Sequence, residues 1–252
     1  MYDFANLLFA GPCNRRCPFC IGRQVPAHAN TPNLDLFPPR GIEAFIRAVN
    51  QHRIPAIVFT GTTSDPQLYR YEGKLLAYLR ERVRAGTRFT VHTNGARTLA
   101  RLAIFNRYDS ACLSLPTLDP DIYQKMMGSR DVPDLAAILA AARIPIKVSA
   151  VVNEHNAHDL PSFMRRCRAL GVRRFVVRRL YGDPRRWPVL PELAPVRFHR
   201  NNPVYDLGGM EVTVWSFDQA SSRSINLFAD GTLGSEYLLT ECLEGVGVRA
   251  AG

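Results

Sequence analysis

Three cysteines near the start of the chain have the spacing of a metal site. Cys13, Cys17 and Cys20 form a C-x-x-x-C-x-x-C run that directly follows an apolar stretch, residues 4–10. Cysteine thiolates are the usual ligands of iron–sulfur clusters, and the [4Fe–4S] form normally takes four of them. Three cysteines would leave one iron without a protein ligand and therefore open to a small molecule. The spacing predicts such a cluster in the loop after the first strand.

Other uses of these cysteines stay open at this point. A structural zinc site needs four ligands, typically from two C-x2-4-C pairs, and the nearest further candidate is His28. Disulfide pairing within the run would leave one cysteine over. The remaining cysteines are scattered; we interpret Cys167 and Cys242 as ordinary buried or half-buried thiols and return to Cys112 below.

The run resembles the signature of the radical S-adenosylmethionine (radical SAM) enzymes. In that superfamily the three cysteines hold a [4Fe–4S] cluster, S-adenosylmethionine chelates the fourth iron, and reductive cleavage yields a 5'-deoxyadenosyl radical. The resemblance implies that Cys13, Cys17 and Cys20 are the metal ligands and that Phe19 lies near the adenine. It also implies an electron donor such as flavodoxin or ferredoxin.

The elements that must position this loop alternate along the chain. Short apolar runs predict six strands, and 3.6-residue periodicity predicts helices between them at 41–51, 66–83 and 158–170, with a helical pair ending near 142. The predicted strands cover residues 4–10, 56–60, 88–92, 110–115, 146–152 and 174–180. This order is the βαβ pattern of a parallel sheet or barrel. We expect an α/β fold, a partial (β/α)6 TIM-like barrel over residues 1–182.

The remainder, residues 183–252, has a different pattern. Five prolines mark an irregular linker, and short alternating or apolar runs at 210–217 and 224–228 precede the turn signal Asp230-Gly231. We expect a proline-rich linker followed by a small C-terminal antiparallel β appendage.

Several polar segments follow directly after predicted strands, where barrel active sites form. Where the superfamily usually has Gly-Gly-Glu-Pro, this chain has Gly-Thr-Thr-Ser-Asp-Pro at 61–66. This segment could bind the cofactor as in the superfamily, or it could be a capped turn with no further role. The resemblance makes this turn and the serine that ends the fourth strand candidates for binding S-adenosylmethionine, namely Gly61, Thr62, Ser64, Asp65 and Ser114.

Within the superfamily, the predicted barrel is most similar to the cyclases that start molybdenum cofactor biosynthesis from GTP. Thr93, Asn94 and Lys147 lie at matching positions, which implies contacts with the substrate. Two arginines of those cyclases are replaced by Asn6 and Val58, and the cysteines of their second cluster are missing. GTP cyclisation is therefore not carried over, and a single cluster is expected.

Three further residues are candidates on the inner face. Arg178 and Arg179 point in opposite directions on a regular strand, so one faces the interior and needs an anionic partner. We assign Arg178 to the cofactor and Arg179 to the substrate. Cys112 is a candidate hydrogen donor, against the alternative of a small buried thiol.

The composition indicates the domain size, the compartment and the kinds of partner that we expect. The chain has 252 residues, 46% of them hydrophobic, enough for one large α/β domain. It lacks eighteen consecutive apolar residues and a basic signal-peptide start, so we expect a cytoplasmic protein without a membrane partner. The net charge is +10, and eleven arginines lie between Arg165 and Arg200, which fits a solvated face, an anion site or a nucleic-acid footprint.

The sequence therefore predicts a radical SAM enzyme that abstracts hydrogen from a small anionic substrate in a biosynthetic pathway. An RNA-modifying radical SAM enzyme is one alternative, motivated by the arginine block. A zinc or iron–sulfur module that binds nucleic acid without catalysis is another.

Overall fold

The computed structural model describes residues 2–235, which fall into two compact units. One unit comprises the described parts of Met1–Cys13, Cys20–Phe89 and Ser222–Gly252. The other comprises Asn14–Phe19 and Thr90–Ser221. Cys242 lies outside the described residues. The boundary expected after residue 182 stays a prediction.

The first unit is built on parallel strands with two helices. Its sheet has the order β11-β10-β1-β2, with β1 parallel to both β10 and β2 and β11 antiparallel to β10. The elements are β1 (Phe4–Phe9), α1 (Ile42–Gln51), β2 (Ala56–Gly61), α2 (Glu72–Arg82), the start of β3 (Arg88–Thr93), β10 (Ser224–Leu227) and β11 (Leu233–Gly234).

Apolar spacing decides which faces of this unit are buried. In α1, Ile42, Phe45, Ile46 and Val49 recur at helical spacing and are all buried, which gives the helix one apolar face. β1 is buried along almost its whole length, as expected for a parallel strand covered on both faces.

The second unit continues the alternation of strands and helices. Its sheet has the order β3-β4-β5-β6-β9-β8-β7. Strands β3 to β6 and β9 are parallel, whereas β7 and β8 are antiparallel. The elements after β3 are α3 (Leu102–Phe105), β4 (Ser110–Ser114), α4 (Pro120–Met127), α5 (Leu135–Ala141), β5 (Ile146–Val152), α6 (Leu160–Ala169), β6 (Arg174–Arg179), β7 (Arg197–His199), β8 (Asn202–Leu207) and β9 (Met210–Trp215).

The two faces of this second sheet differ in chemistry. Side chains alternate along a strand, so Leu113, Val148 and Phe175 share one face, and all three belong to the apolar core packed by the helices. The intervening residues form the opposite face, where His92, Cys112 and Lys147 lie side by side in register. This face is called the polar face below.

The parallel strands follow the sequence pattern closely, whereas one expected helix does not. All six predicted parallel strands are present within two residues of their expected ends. The single helix expected over 66–83 is wrong: a short 3-10 turn, Pro66–Leu68, is separated from α2 because the Tyr69 backbone is extended. The Tyr69 ring is fully buried against Phe9, with 4.9 Å between centroids, so core packing overrides helical periodicity.

The C-terminal strands also differ in detail from the expectation. Antiparallel strands are present, and Asp230 forms the expected turn between β10 and β11. However, β10 pairs parallel with β1, and β9 pairs parallel with β6, so both extend sheets instead of forming a separate one. Strands β7 and β8 lie in the stretch that we expected to be irregular. No helix within residues 2–235 is both long and apolar enough to cross a bilayer.

Candidate active site

The cysteine loop presents reduced thiols. None of the five cysteines in the described part of the chain is in a disulfide, and Cys13, Cys17 and Cys20 are each partly exposed. Cys13 and Cys20 belong to the first unit and Cys17 to the second. Across residues 2–235 no three metal-ligating side chains are gathered in the geometry of a metal-ion site. The fit to a cluster therefore depends on donor chemistry: three accessible thiols within eight residues, the ligand type that iron–sulfur clusters use.

In the first unit, the 61–66 turn is hydrogen-bonded to the chain around the cysteines. The Gly11 amide donates to the Thr63 hydroxyl at 3.1 Å, and the Ser64 hydroxyl donates to the Pro12 carbonyl at 2.8 Å. The Cys20 sulfur lies 3.4 Å from the Thr62 carbonyl oxygen. The turn after β2 thus positions the residues next to both Cys13 and Cys20.

Two glycines permit this close approach. A Cβ on Gly61 would lie 1.7 Å from the Ser64 carbonyl oxygen, and a Cβ on Gly22 would lie 2.7 Å from the Thr62 carbonyl oxygen. Neither position has room for a side chain, because a backbone carbonyl group blocks each one, and at Gly22 the Thr63 methyl group is closer still, at 2.4 Å. Gly61 therefore shapes the turn through its lack of a side chain.

Two of the predicted cofactor residues also have structural partners. Asp65 is buried, and its carboxylate accepts the Gln67 amide at 2.9 Å, which caps the 3-10 turn. The Thr62 hydroxyl lies 3.4 Å from the Phe9 carbonyl oxygen. The capping role expected as the alternative for this turn is therefore present at Asp65, and cofactor binding there stays a prediction.

In the second unit, Arg15 anchors the middle of the cysteine loop. Its Nε donates to the Tyr123 hydroxyl at 3.1 Å, and its guanidinium also donates to the Asp131 and Asn14 carbonyls at 2.8 and 2.9 Å. The Arg15 side chain is only 6% exposed. Burial raises the pKa of Tyr123, so the phenol stays protonated and can accept the bond from Arg15.

Met127 makes a second attachment close to the ligand itself. Its carbonyl accepts the Arg16 amide at 2.9 Å, and its sulfur lies 3.5 Å from the Cys17 sulfur. Cys17 and Phe19 pack against the apolar core of the same unit. The adenine contact expected of Phe19 stays a prediction.

The predicted substrate residues at the end of β3 differ in placement: Thr93 is the last residue of the strand and Asn94 follows it. The Asn94 side chain donates to the Asn14 side-chain oxygen at 2.8 Å, so it contacts the cysteine loop directly. Thr93 pairs with Leu113 on the helix-covered face, is 2% exposed and accepts the Gly95 amide.

At the end of the polar face, Arg178 is paired with a serine. Its Nε donates to the Ser149 hydroxyl at 2.9 Å, and its guanidinium lies 5.9 Å from the Phe217 ring centroid. Ser149 pairs in register with Ser114, whose side chain is exposed. Arg179, the next residue of β6, points to the opposite face, so the structure separates it from Arg178.

Three titratable side chains form a row across the same face. His92, Cys112 and Lys147 occupy paired positions on β3, β4 and β5. Burial, Lys147 and Arg178 hold the pKa of His92 well below its usual value, so the imidazole is neutral. Cys112 raises the pKa of Lys147, but burial and Arg178 outweigh this effect, and the net pKa is lowered. Cys112 is 1% exposed, which fits the buried-thiol alternative, and hydrogen donation stays a prediction.

Sequence reasoning missed four residues of this site. They are Arg15, Tyr123, Met127 and Ser149. A signal existed for three of them. Tyr123 and Met127 are four residues apart on a helix capped by Asp119, and such residues share one face. Ser149 lies two residues after Lys147 on an alternating strand, which places both on one face.

The fold is shared with solved structures at low identity. The chain is similar to SuiB of Streptococcus suis bound to its precursor peptide, with a TM-score of 0.57 and 17% identity over 71% of this chain and 40% of SuiB. It is also similar to TYW1 with a lysine–pyruvate adduct bound, with a TM-score of 0.51 and 13% identity over 73% of this chain and 67% of TYW1. The chain thus spans less than half of SuiB. With the parallel strands described above, these likenesses confirm a partial TIM-like α/β fold with C-terminal antiparallel strands.

Comparison with protein families gives the decisive match. A search of curated proteins found no match. The family model described as the radical SAM superfamily matches residues 8–181, more than half of the chain, and this segment includes the cysteine run, the 61–66 turn and the polar sheet face. Members of this superfamily use S-adenosylmethionine and a [4Fe–4S] cluster, and the three reduced thiols are suitable ligands for such a cluster. The chain belongs to the radical SAM superfamily and is a radical SAM enzyme.

Proposed function

We propose that the chain holds one [4Fe–4S] cluster through Cys13, Cys17 and Cys20 and uses it with S-adenosylmethionine to abstract hydrogen from a small anionic substrate. The observation that carries this proposal is the cysteine loop, whose reduced thiols lie within the segment that the family model matches. When bound, the two cofactors supply a 5'-deoxyadenosyl radical. The proposal includes reduction by a flavodoxin- or ferredoxin-like donor and a role in a biosynthetic pathway.

The chain's own residues position the loop and select the substrate. Arg15 and Met127 fix the segment between the first and second cysteines, and the 61–66 turn fixes the backbone beside the first and third. Arg178 gives the polar face of the second sheet a positive charge beside Lys147, which favours a carboxylate or phosphate. That charge supports an anionic substrate.

The fold itself does not select the substrate. The SuiB structure holds a precursor peptide and the TYW1 structure a lysine–pyruvate adduct, so similar folds carry different ligands. Substrate choice must therefore be argued from this chain's own side chains. The strongest of these arguments is the Arg178 guanidinium, which lies on the same sheet face as Lys147.

Anaerobic reconstitution tests the cofactor half of the proposal. We expect about four irons per chain and release of 5'-deoxyadenosine after addition of dithionite and S-adenosylmethionine. Replacing Cys13, Cys17 or Cys20 by Ala should abolish both, whereas Cys167→Ala should abolish neither. Bound zinc without cleavage, or cleavage retained in any of the three variants, would overturn the assignment.

A second candidate, modification of RNA, has one observation in its favour. Eight of the eleven arginines between residues 165 and 200 are exposed. Against it, Arg174 and Arg197 both pair with Glu211, and Arg185 pairs with Asp183, which neutralises part of the block. Filter binding of the cluster-loaded enzyme to transfer RNA at rising salt decides this: retention that falls steeply with salt supports RNA, and no retention at low salt removes it. Family membership already sets aside the non-catalytic module.

A further inference from the structure

Lysine is rare in this chain, and one lysine occupies the polar face of the second unit. The chain has 32 lysine and arginine residues, of which only Lys74, Lys125 and Lys147 are lysines. Lys74 and Lys125 are exposed on helices, and Lys74 lies over the Phe37 ring. Lys147 is partly buried on β5, beside Cys112 of β4.

Lys147 lies beside Cys112, which favours its charged form, and near three arginines, which disfavour it. The groups that act on its ammonium are Cys112, Arg178, Arg174 and Arg200, and among the described residues none of these is a carboxylate. On β3, the facing His92 is neutral. Because burial and the arginines outweigh Cys112, the site favours either the neutral amine or an added anion.

Arg178 lies within reach of the same position. Val151 pairs with Arg178, and Lys147 and Val151 are on the same face of β5 because they are an even number of residues apart. The Arg178 side chain extends to Ser149, which is two residues, or about 7 Å, from Lys147 along the strand. Nε makes this bond, and the outer N–H groups of a guanidinium match a carboxylate or phosphate.

We propose that Lys147 is a nucleophilic amine that condenses with the aldehyde or ketone carbonyl of an oxo acid whose anionic group is held by Arg178. This assignment rests on the proposed function in taking the substrate to be anionic. It adds the carbonyl, and therefore a covalent enzyme–substrate imine.

The condensation requires no oxidant or reductant. The Nζ lone pair of the neutral amine attacks the carbonyl carbon and forms a C–N bond while the C–O π electrons move to oxygen. The nitrogen then loses its two protons, the oxygen gains them and leaves as water, and a C=N bond remains. Cys112 and His92 are the neighbouring side chains that can pass these protons.

The choice of lysine supports this role over simple ion pairing. An arginine at the same position would keep its charge at every physiological pH, whereas a lysine can lose it. Burial and neighbouring cations are the conditions that make a lysine nucleophilic. The lowered pKa of Lys147 agrees with them, because each unit of lowering raises the neutral fraction about tenfold.

Reductive trapping tests the proposal. The cluster-loaded enzyme is incubated with glyoxylate and cyanoborohydride, and the adducts are mapped by mass spectrometry. We expect adduct on Lys147 at a rate at least about tenfold above Lys74 and Lys125, with a pH midpoint below 10.5, the ordinary lysine value. The variants K74R and K125R should leave the Lys147 adduct unchanged, and K147R should abolish it.

A second pair of measurements assigns Arg178. R178Q should slow trapping of glyoxylate but leave trapping of acetaldehyde, which lacks the carboxylate, nearly unchanged. Equal labelling of the three lysines, or a pH midpoint at the ordinary lysine value, would overturn the proposal. The same preparations are assayed for 5'-deoxyadenosine. Cleavage of S-adenosylmethionine without selective trapping at Lys147 would contradict only the imine. Selective trapping without this cleavage would contradict only the proposed function.

Discussion

Replacing Arg15 by Ala should loosen the cysteine loop and destabilise the second unit. The guanidinium donates to the Tyr123 hydroxyl and to the Asp131 and Asn14 carbonyls, and its side chain is 6% exposed. The Asp131 carboxylate is 85% exposed, so the 3.5 Å ion pair adds little. The two long-range hydrogen bonds, at about 1–1.5 kcal/mol each, predict a loss of about 2–3 kcal/mol.

Urea denaturation of anaerobic apo-protein measures this loss. Tyr123→Phe removes one acceptor and should cost about 1 kcal/mol. Because both substitutions break the same bond, the double variant should be less destabilised than the sum, by about 1 kcal/mol. Arg15→Lys is the matched control: it keeps the charge but cannot make the three-way contact, and should recover less than half of the loss. A loss below about 0.5 kcal/mol for R15A, or strict additivity with Y123F, would refute the anchoring role.

Three further predictions follow from the packing and from the pKa shifts. Gly61→Ala places a Cβ 1.7 Å from the Ser64 carbonyl, so we expect about 1–3 kcal/mol of destabilisation in urea, and unchanged stability would contradict the close turn. Burial raises the pKa of the Cys167 thiol from 9.0 to about 12, so the folded protein keeps a proton that the unfolded chain loses between these pH values. The free energy of unfolding should therefore fall as pH rises from about 9 to about 12. C167A should reduce that fall in urea titrations at these pH values. The Ile122 and Asp121 amides hold the pKa of Asp119 below its usual value, so its stabilisation is present above the unfolded value of 3.8 and fades as pH falls through the folded value. D119N should weaken this acid dependence in circular dichroism, and an identical acid profile would exclude the cap.

The sequence was a good guide where adjacent residues carry the signal. The C-x-x-x-C-x-x-C spacing and the apolar strand runs are encoded within a few positions, so the superfamily and the parallel strands could be predicted from them. The extended backbone at Tyr69 could not, because the cause is a ring contact with Phe9, far away in the chain. Packing of that kind has no local sequence signature.

The residues of the candidate site also divide into those that a local pattern predicts and those that depend on distant contacts. Alternation along β5 and β6 predicts that Arg178 and Arg179 face opposite ways, and the structure agrees. The two long-range partners of Arg15, Tyr123 and Asp131, lie more than a hundred residues away, on and beyond α4, so no local pattern connects them with the cysteine loop. The neutral state of His92 likewise depends on tertiary structure, because it follows from burial in the sheet and from a strand register that brings Lys147 and Arg178 near.

The parallel pairing of β10 with β1 has a consequence for synthesis on the ribosome. The buried side chains of Asn6 and Asn226 are hydrogen-bonded at 2.8 Å across 220 residues of sequence, and β1 has β10 as its neighbour on that edge. At a translation rate of ~5–20 residues per second, β1 waits about 10–40 s for this partner. During that interval one edge of an apolar strand, with a polar side chain that needs a partner, is open to other chains. Emergence of β10 from the ribosome, not emergence of the cysteine loop, is therefore the event that completes the pairing of β1.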